Sequence, residues 1–415
     1  MGTERNWAGT YAYGARALHR PSTLEALQVI VARAPKVRAL GSRHSFSGIA
    51  DSDELVSVDD LPPEIVVDED ASTVSCGAGV RYGELARALH AQGLALHNLA
   101  SLPHICVAGA VATGTHGSGD ASGNLATAVA GLTLVTSAGD IVEATRADPD
   151  FDGLVVNLGA LGVVTRLTLD VEPAYEVRQR VFERLPWEAV LDVDAIMSTG
   201  YSVSAFTHFG PVAEQVWVKS RDEDAPAPAR DLFGAVPAAD HVHPIAGVDA
   251  TAATPQMGVA GPWFERLPHF RMEFTPSAGD ELQSEYLVGR EHAADALEAV
   301  RSLASDIQPL LQVCEIRTIA GDELWMSPHH GRDSIGIHFT WKPDQPAVER
   351  VLMRIEAALA PFSARPHWGK LFLMDAAAIA PRYERLPDFR RLAERLDPRG
   401  AFRNAWLEQH VLGGE

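Results

Sequence analysis

Over roughly the first 180 residues the apolar runs are short, and polar loops rich in glycine separate them. Ser22-Thr23-Leu24-Glu25 has capping-box spacing and opens a helix predicted to run to about residue 34. Val37–Leu40 is too short an apolar run for a helix and is predicted as a buried strand. Residues 55–59, 64–68 and 73–76 are predicted as further short strands. Tyr82–His90 has apolar positions at helical spacing and stops before Gly93. Residues 132–136 and 141–144 flank Ser137-Ala138-Gly139-Asp140, a hairpin signal. A helix is predicted over residues 150–161 and a strand over residues 162–169.

The texture then changes. Strand patterns at residues 205–209, 215–219, 313–319 and 335–341 alternate with helical patterns at 291–305 and 347–360. Residues 221–236 are rich in proline and charge and read as an exposed loop. Seven of the eight tryptophans lie in this second part, where core packing is their commonest use and stacking on a sugar ring the other. The pattern predicts an α+β chain of two domains, 1–177 and 178–395, the second built on a large antiparallel sheet.

Composition narrows the partners. The chain has 415 residues, 46% of them apolar, and a mean hydropathy of −0.03, as a water-soluble protein with more than one core would have. A net charge of −20 argues against nucleic acid or an anionic membrane as partner. The N-terminal stretch has no apolar signal region, Asn6 stands where myristoylation needs Ser or Thr, and no apolar run approaches the roughly 18 residues of a spanning helix. Cys76, Cys106 and Cys314 are too few and too scattered for a disulfide framework or a zinc knuckle, which fits a reducing cytoplasm. Only Lys36, Lys219, Lys342 and Lys370 are lysines among 35 basic residues, so each invites separate attention.

Two loops and three charged clusters are the candidates for chemistry. Gly41-Ser42-Arg43-His44-Ser45 follows the first buried strand; it is either a plain strand end with a surface histidine or a ligand loop. Residues 99–119 hold Ser101, Cys106, Gly109, Thr113, Gly114 and His116 in a run of small residues that cannot pack a core and suits a large flat ligand. Neither G-x-G-x-x-G nor a P-loop occurs, which disfavours a nicotinamide Rossmann domain or an NTPase. Further on come Glu315-Ile316-Arg317-Thr318, His338-Phe339-Thr340-Trp341 and Arg365-Pro366-His367-Trp368-Gly369-Lys370. Period-two alternation puts Glu315 with Arg317, and His338 with Thr340, on shared strand faces. Taken singly, each reads as easily as a solvated ion pair or a core histidine.

Together they carry a resemblance. Gly-Ser-Arg-His-Ser resembles the G-x-G-H-S loop of vanillyl-alcohol-oxidase-type FAD enzymes, with Arg43 where many members have glycine. EIRT, HFTWKP and RPHWGK, in that order, resemble the alditol oxidases of the sugar-lactone oxidase branch, and the closing D-P-x-x-x-F-x-N-x-W-L matches as well. The resemblance implies a two-domain, PCMH-like FAD fold with FAD joined covalently to His44, and a C-terminal segment, residues 396–415, that returns to the first domain. It also implies a cofactor site of Gly41, Ser42, Arg43, His44, Ser45, Ser101, Cys106, Gly109, Thr113, Gly114, His116, Val163, Val164 and His367, with Cys106 where a serine is common. Ser101, Glu315, Arg317, Thr340 and Lys370 would hold the substrate, and Lys370, Arg317, His338 and Glu315 the chemistry, with the proton acceptor left between His338, Lys370 and a water-linked base. No metal is implied. The implied reaction is oxidation of a terminal hydroxyl of xylitol or sorbitol by O2, giving an aldose and hydrogen peroxide, in a cytoplasmic monomer. A sugar-1,4-lactone oxidase or dehydrogenase is the near alternative and a non-catalytic flavin carrier the distant one. A metal hydrolase on His97, His104 and His116 has no zinc-type spacing to support it.

Overall fold

The computed structural model describes residues 4–221, 231–274 and 281–413. The loop expected over residues 221–236 falls mostly on residues outside that set. Three parallel strands, Ala17–His19, Glu54–Ser57 and Val37–Leu40, form one small sheet in that spatial order. Ile65–Asp68, Thr73–Gly77, Val163–Asp170, Val129–Val135 and Ile141–Thr145 form a five-stranded antiparallel sheet. A nine-stranded antiparallel sheet takes most of the rest. Its central order is Glu176–Pro186, Val212–Arg221, Ser202–Thr207, Leu311–Ile319, Ser334–Trp341, Leu282–Gly289. The expected α+β class with a large antiparallel sheet is what the chain adopts.

Local chemistry explains most element ends. Leu24–Arg33 is a helix whose cap is Thr23, one residue later than expected, because the Thr23 hydroxyl accepts from the Ala26 N–H. The helix expected over residues 150–161 is corrected: only Phe151–Val155 is helical. Asn157 Oδ1 accepts from the Gly159 N–H at 2.8 Å, and Leu158 and Gly159 take φ of 54° and 66°, which no helix continues. The small-residue run after Ser101 is not all loop; Val107–Ala112 is a short helix. Two long strands, Glu176–Pro186 and Leu282–Gly289, were not anticipated.

One buried arginine joins three distant segments. Arg38, on the first buried strand and 2% exposed, donates to the carbonyls of Ile49, Leu158 (2.6 Å), Gly159 (2.9 Å) and Phe402 (3.0 Å). The C-terminal segment is further held by the Val37 N–H on Ala401 O and by Asn404 Nδ2 on the carbonyls of Gly48, Ile49 and Asp51. Burial lowers the Arg38 pKa to about 10, still charged at neutrality. Arg38→Met would leave the carbonyls of Leu158, Gly159 and Phe402 without their donor and the Ile49 carbonyl with Asn404 alone. We expect it to lower the unfolding free energy by more than about 3 kcal/mol, read as a fall in urea midpoint at constant m-value.

Candidate active site

The nine-stranded sheet sets the floor of the site by register. Glu285, His338 and Glu315 lie directly opposite one another on three neighbouring strands, and Gln283, Thr340 and Val313 form the next row. Arg317 sits one step the other way, opposite Gly336. A Cβ at residue 336 would come within 3.0 Å of Glu285 Oε1, so glycine leaves the room that carboxylate occupies.

These charges interlock out of water. Glu285 accepts from Arg317 Nη2 at 3.0 Å and from Lys370 Nζ at 2.6 Å, and His116 Nε2 lies 3.4 Å away. Arg317 also reaches Ser101 Oγ at 3.4 Å and lies 3.6 Å from Glu315 Oε1. Burial alone would raise the Glu285 pKa, but Arg317 and Lys370 outweigh it and hold the carboxyl well below its usual range. Burial pulls Lys370 down and Glu285 partly restores it, leaving it below an ordinary lysine. Glu315 is likewise held low by Arg317 and His269 against its burial. His338 is brought down to about 4 by burial and then by Lys370, so it is neutral near pH 7. Its Nδ1 faces Glu315 Oε2 at 3.4 Å, while its buried Nε2 has no partner among the described residues. A carboxylate only accepts, so Nδ1 carries the hydrogen and Nε2 is left with the lone pair.

Across a cavity of about 290 Å³ stands the His44 loop. The loop is pinned by the Phe46 N–H on Gly369 O, the Trp7 N–H on Arg43 O and Asn6 Nδ2 on Ser45 O. The His44 ring lies nearly parallel to Trp7, centroids 5.2 Å apart, and among the described residues neither ring nitrogen has a hydrogen-bond partner although both are buried. Burial, then the nearby Arg81 and His104, lowers its pKa to about 4, so the ring is uncharged. Arg43 takes φ of 64° and pairs with Glu4 at 3.0 Å, which explains why glycine suits this position. Cys106 Sγ packs where Cβ atoms on Gly41 and Gly109 would stand, and Ser42 Oγ accepts from the Cys106 N–H at 3.0 Å. Gly41 therefore serves a loop-to-loop contact, where the sequence suggested only an approach to ligand.

The expected residues converge with two exceptions. Gly41, Ser42, Arg43, His44, Ser45, Ser101, Cys106, Gly109, Thr113, His116, Val164, His367, Glu315, Arg317, His338, Thr340 and Lys370 all line the cavity. Gly114, at φ of 61° against Pro328, and the fully buried Val163 lie behind its wall. The seven later tryptophans are all buried and none lines it; the wall's tryptophan is Trp7. Sequence reasoning missed Glu285 and His269, which sit in segments given no element; a lone carboxylate inside Ser284-Glu285-Tyr286-Leu287-Val288 was the available signal. His97, His104 and His116 do not assemble: among the described residues only His116, Glu285 and His367 place ligand atoms within 4.8 Å of one another. Glu285 there already faces two cations, an unfavourable setting for a third.

The long cavity, its glycine-fitted loops and an unpartnered neutral histidine fit a large flat cofactor. Residues 15–145 match the FAD binding domain family, and residues 280–410 match the D-arabinono-1,4-lactone oxidase family. The backbone superposes on cholesterol oxidase from B. sterolicum with a TM-score of 0.78, covering 99% of this chain and 96% of that one at 15% identity, a likeness of fold. The protein thus has the architecture of an FAD-dependent oxidoreductase. Alditol oxidase of Streptomyces sp. is 52% identical over 98% of this chain and 99% of its own length, and L-gulono-1,4-lactone dehydrogenase of Mycobacterium tuberculosis is 26% identical over 98% of each. The chain belongs to the alditol oxidase family, in the sugar-lactone oxidase branch of these FAD enzymes.

Glu285→Gln would leave buried Lys370 without its carboxylate and Arg317 with only the 3.6 Å contact to Glu315. We expect a loss of about 3–5 kcal/mol at pH 7. The gap to wild type should narrow as pH rises, because the unpaired Lys370 then sheds its proton; urea unfolding at pH 7 and 9.5 measures both.

Proposed function

We propose that this enzyme oxidises a terminal hydroxyl of an acyclic polyol such as xylitol or sorbitol. The observation that carries the reading is that Glu315, His338, Arg317 and Lys370 line one cavity with His44, while Glu285 is buried behind Arg317 and Lys370 and pairs with both. When bound, FAD accepts a hydride from the carbinol carbon and passes the electron pair to O2, so the products are the aldose and hydrogen peroxide. Glu315 Oε2 accepts from a substrate hydroxyl, and Arg317, Ser101 and Thr340 contact others. His338 Nε2 takes the hydroxyl proton. Arg317 and Lys370 stabilise negative charge on the oxygen and on the cofactor as the hydride leaves. Gly41, Ser42, Arg43, Ser45, Cys106, Gly109, Thr113, His116, Val164 and His367 border FAD, Gly114 and Val163 support that wall, and His44 forms a covalent bond to the cofactor. In this reading residues 1–177 with 396–415 hold FAD and residues 178–395 hold substrate. Three buried, unpaired cysteines support a reducing cytoplasm, and the protein acts as a monomer. No helix among the described residues is long and apolar enough to cross a membrane.

Steady-state turnover tests the substrate. Xylitol should be oxidised with a higher kcat/KM than an aldono-1,4-lactone; the reverse order would assign the chain to lactone oxidation instead. A base with a lowered pKa stays neutral to lower pH. The acid limb of kcat/KM should therefore bend near pH 4, where His338 takes up its proton, and not near 6.5. In acid-precipitated protein the yellow colour should remain in the pellet, and His44→Ala should release it to the supernatant; a colourless wild-type pellet would leave FAD bound without a covalent link.

A further inference from the structure

Behind Glu315 lies a chain of polar contacts that the reaction above does not use. Lys219, on the strand Val212–Arg221, is 1% exposed, with its side chain on the sheet face that carries Glu315 and Arg317. Its Nζ donates to Leu267 O and lies 2.9 Å from His269 Nδ1. His269 Nε2 in turn lies 2.9 Å from Glu315 Oε1. The His269 backbone N–H donates to Ser101 O at 3.1 Å, so one residue touches two of the expected substrate contacts.

The hydrogen positions follow by elimination. Glu315 is ionised between Arg317 and His269 and can only accept, so His269 Nε2 must carry a hydrogen. Burial, then Lys219, lowers the His269 pKa to about 4, so the ring is neutral and Nδ1 must accept. Lys219 is the donor at that end. Burial draws its pKa to about 7, but an amine and an ammonium both have N–H groups for Leu267 and His269, so the contact survives either state. Trp217, 5.1 Å from the His269 ring, and Phe206, 5.6 Å away, pack edge-on against it and keep it from turning.

We propose that Lys219 is a positioning residue: acting through His269, it ties down Glu315 Oε1 and so aims the other oxygen, Oε2, at a substrate hydroxyl. Oε2 has only the long 3.4 Å contact to His338 Nδ1, which leaves it available. The proposal rests on Glu315 being a substrate contact. Without the lysine, Glu315 alone would hold the Nε2–H tautomer, the ring would lose its anchor at Nδ1, and any Nδ1–H population would turn a lone pair on the carboxylate.

The test is made on the FAD-loaded protein with 15N-labelled histidine. In wild type, His269 should show the neutral Nε2–H tautomer by long-range 15N–1H correlation, its signals assigned by their loss in His269→Gln. A neutral Nδ1–H tautomer in wild type overturns the proposal whatever the variants do. Lys219→Met should mix the tautomers and raise the KM for xylitol about tenfold, as loss of one aimed hydrogen bond would, with flavin content unchanged. Lys219→Gln keeps an N–H donor and should restore much of both. In a His269→Gln background, Lys219→Met should add nothing to KM; an additive effect would mean that Lys219 does not act through His269 and would overturn the proposal. Absence of xylitol turnover in wild type would overturn the proposed function, while the His269 tautomers in wild type and Lys219→Met would still test the link by themselves.

Discussion

Two carboxylates and two cations share one dry patch of sheet, and the site depends on their balance. Each charge alone would cost several kcal/mol to bury. Glu285 neutralises Arg317 and Lys370 together, and Glu315 faces Arg317 from the other side. The pairing is what keeps a lysine and an arginine charged where little water reaches them. It also explains why the strands around them carry a glycine at residue 336, since the Glu285 carboxylate needs that volume.

The same balance distributes roles. Glu285 accepts from both cations and has His116 at 3.4 Å, so it has little capacity left for a ligand. Glu315 spends one oxygen on His269 and keeps the other nearly free. His338 sits between the two carboxylates in register yet stays neutral, because burial and Lys370 outweigh their pull. Three side chains in one row thus take different roles: Glu285 is an ionised carboxylate saturated by two cations, Glu315 an ionised carboxylate with one oxygen nearly free, and His338 a neutral ring kept so by burial and Lys370.

On the opposite wall the constraint is steric. Cys106 fills the space beside Gly41 and Gly109, and Ser42 is hydrogen-bonded to the Cys106 backbone, so the two loops are packed directly against each other. Arg38 then ties the strand beneath them to residues 49, 158, 159 and 402. The position of His44 is therefore set by chain segments more than 350 residues apart in sequence, as the Arg38–Phe402 contact, 364 residues apart, illustrates.

What the sequence determined by itself is what local rules govern. Alternation put Glu315 with Arg317 and His338 with Thr340 on shared faces, because side chains on a strand alternate whatever it pairs with. Apolar spacing located the Tyr82–His90 helix to the residue, and the ordered set of EIRT, HFTWKP and RPHWGK marked the family. What alternation cannot supply is which strands become neighbours. Register brought Glu285 opposite His338, and it turned a carboxylate with no motif into the partner of Arg317 and Lys370. The helix forecast over residues 150–161 failed at a local turn, in which Asn157 Oδ1 accepts from the Gly159 N–H; what only the tertiary structure adds is that the Leu158 and Gly159 carbonyls of this turn meet Arg38, about 120 residues away. Lys219 stood out in the sequence only for its rarity, and its place beside His269 exists only once the sheet has closed and buried it.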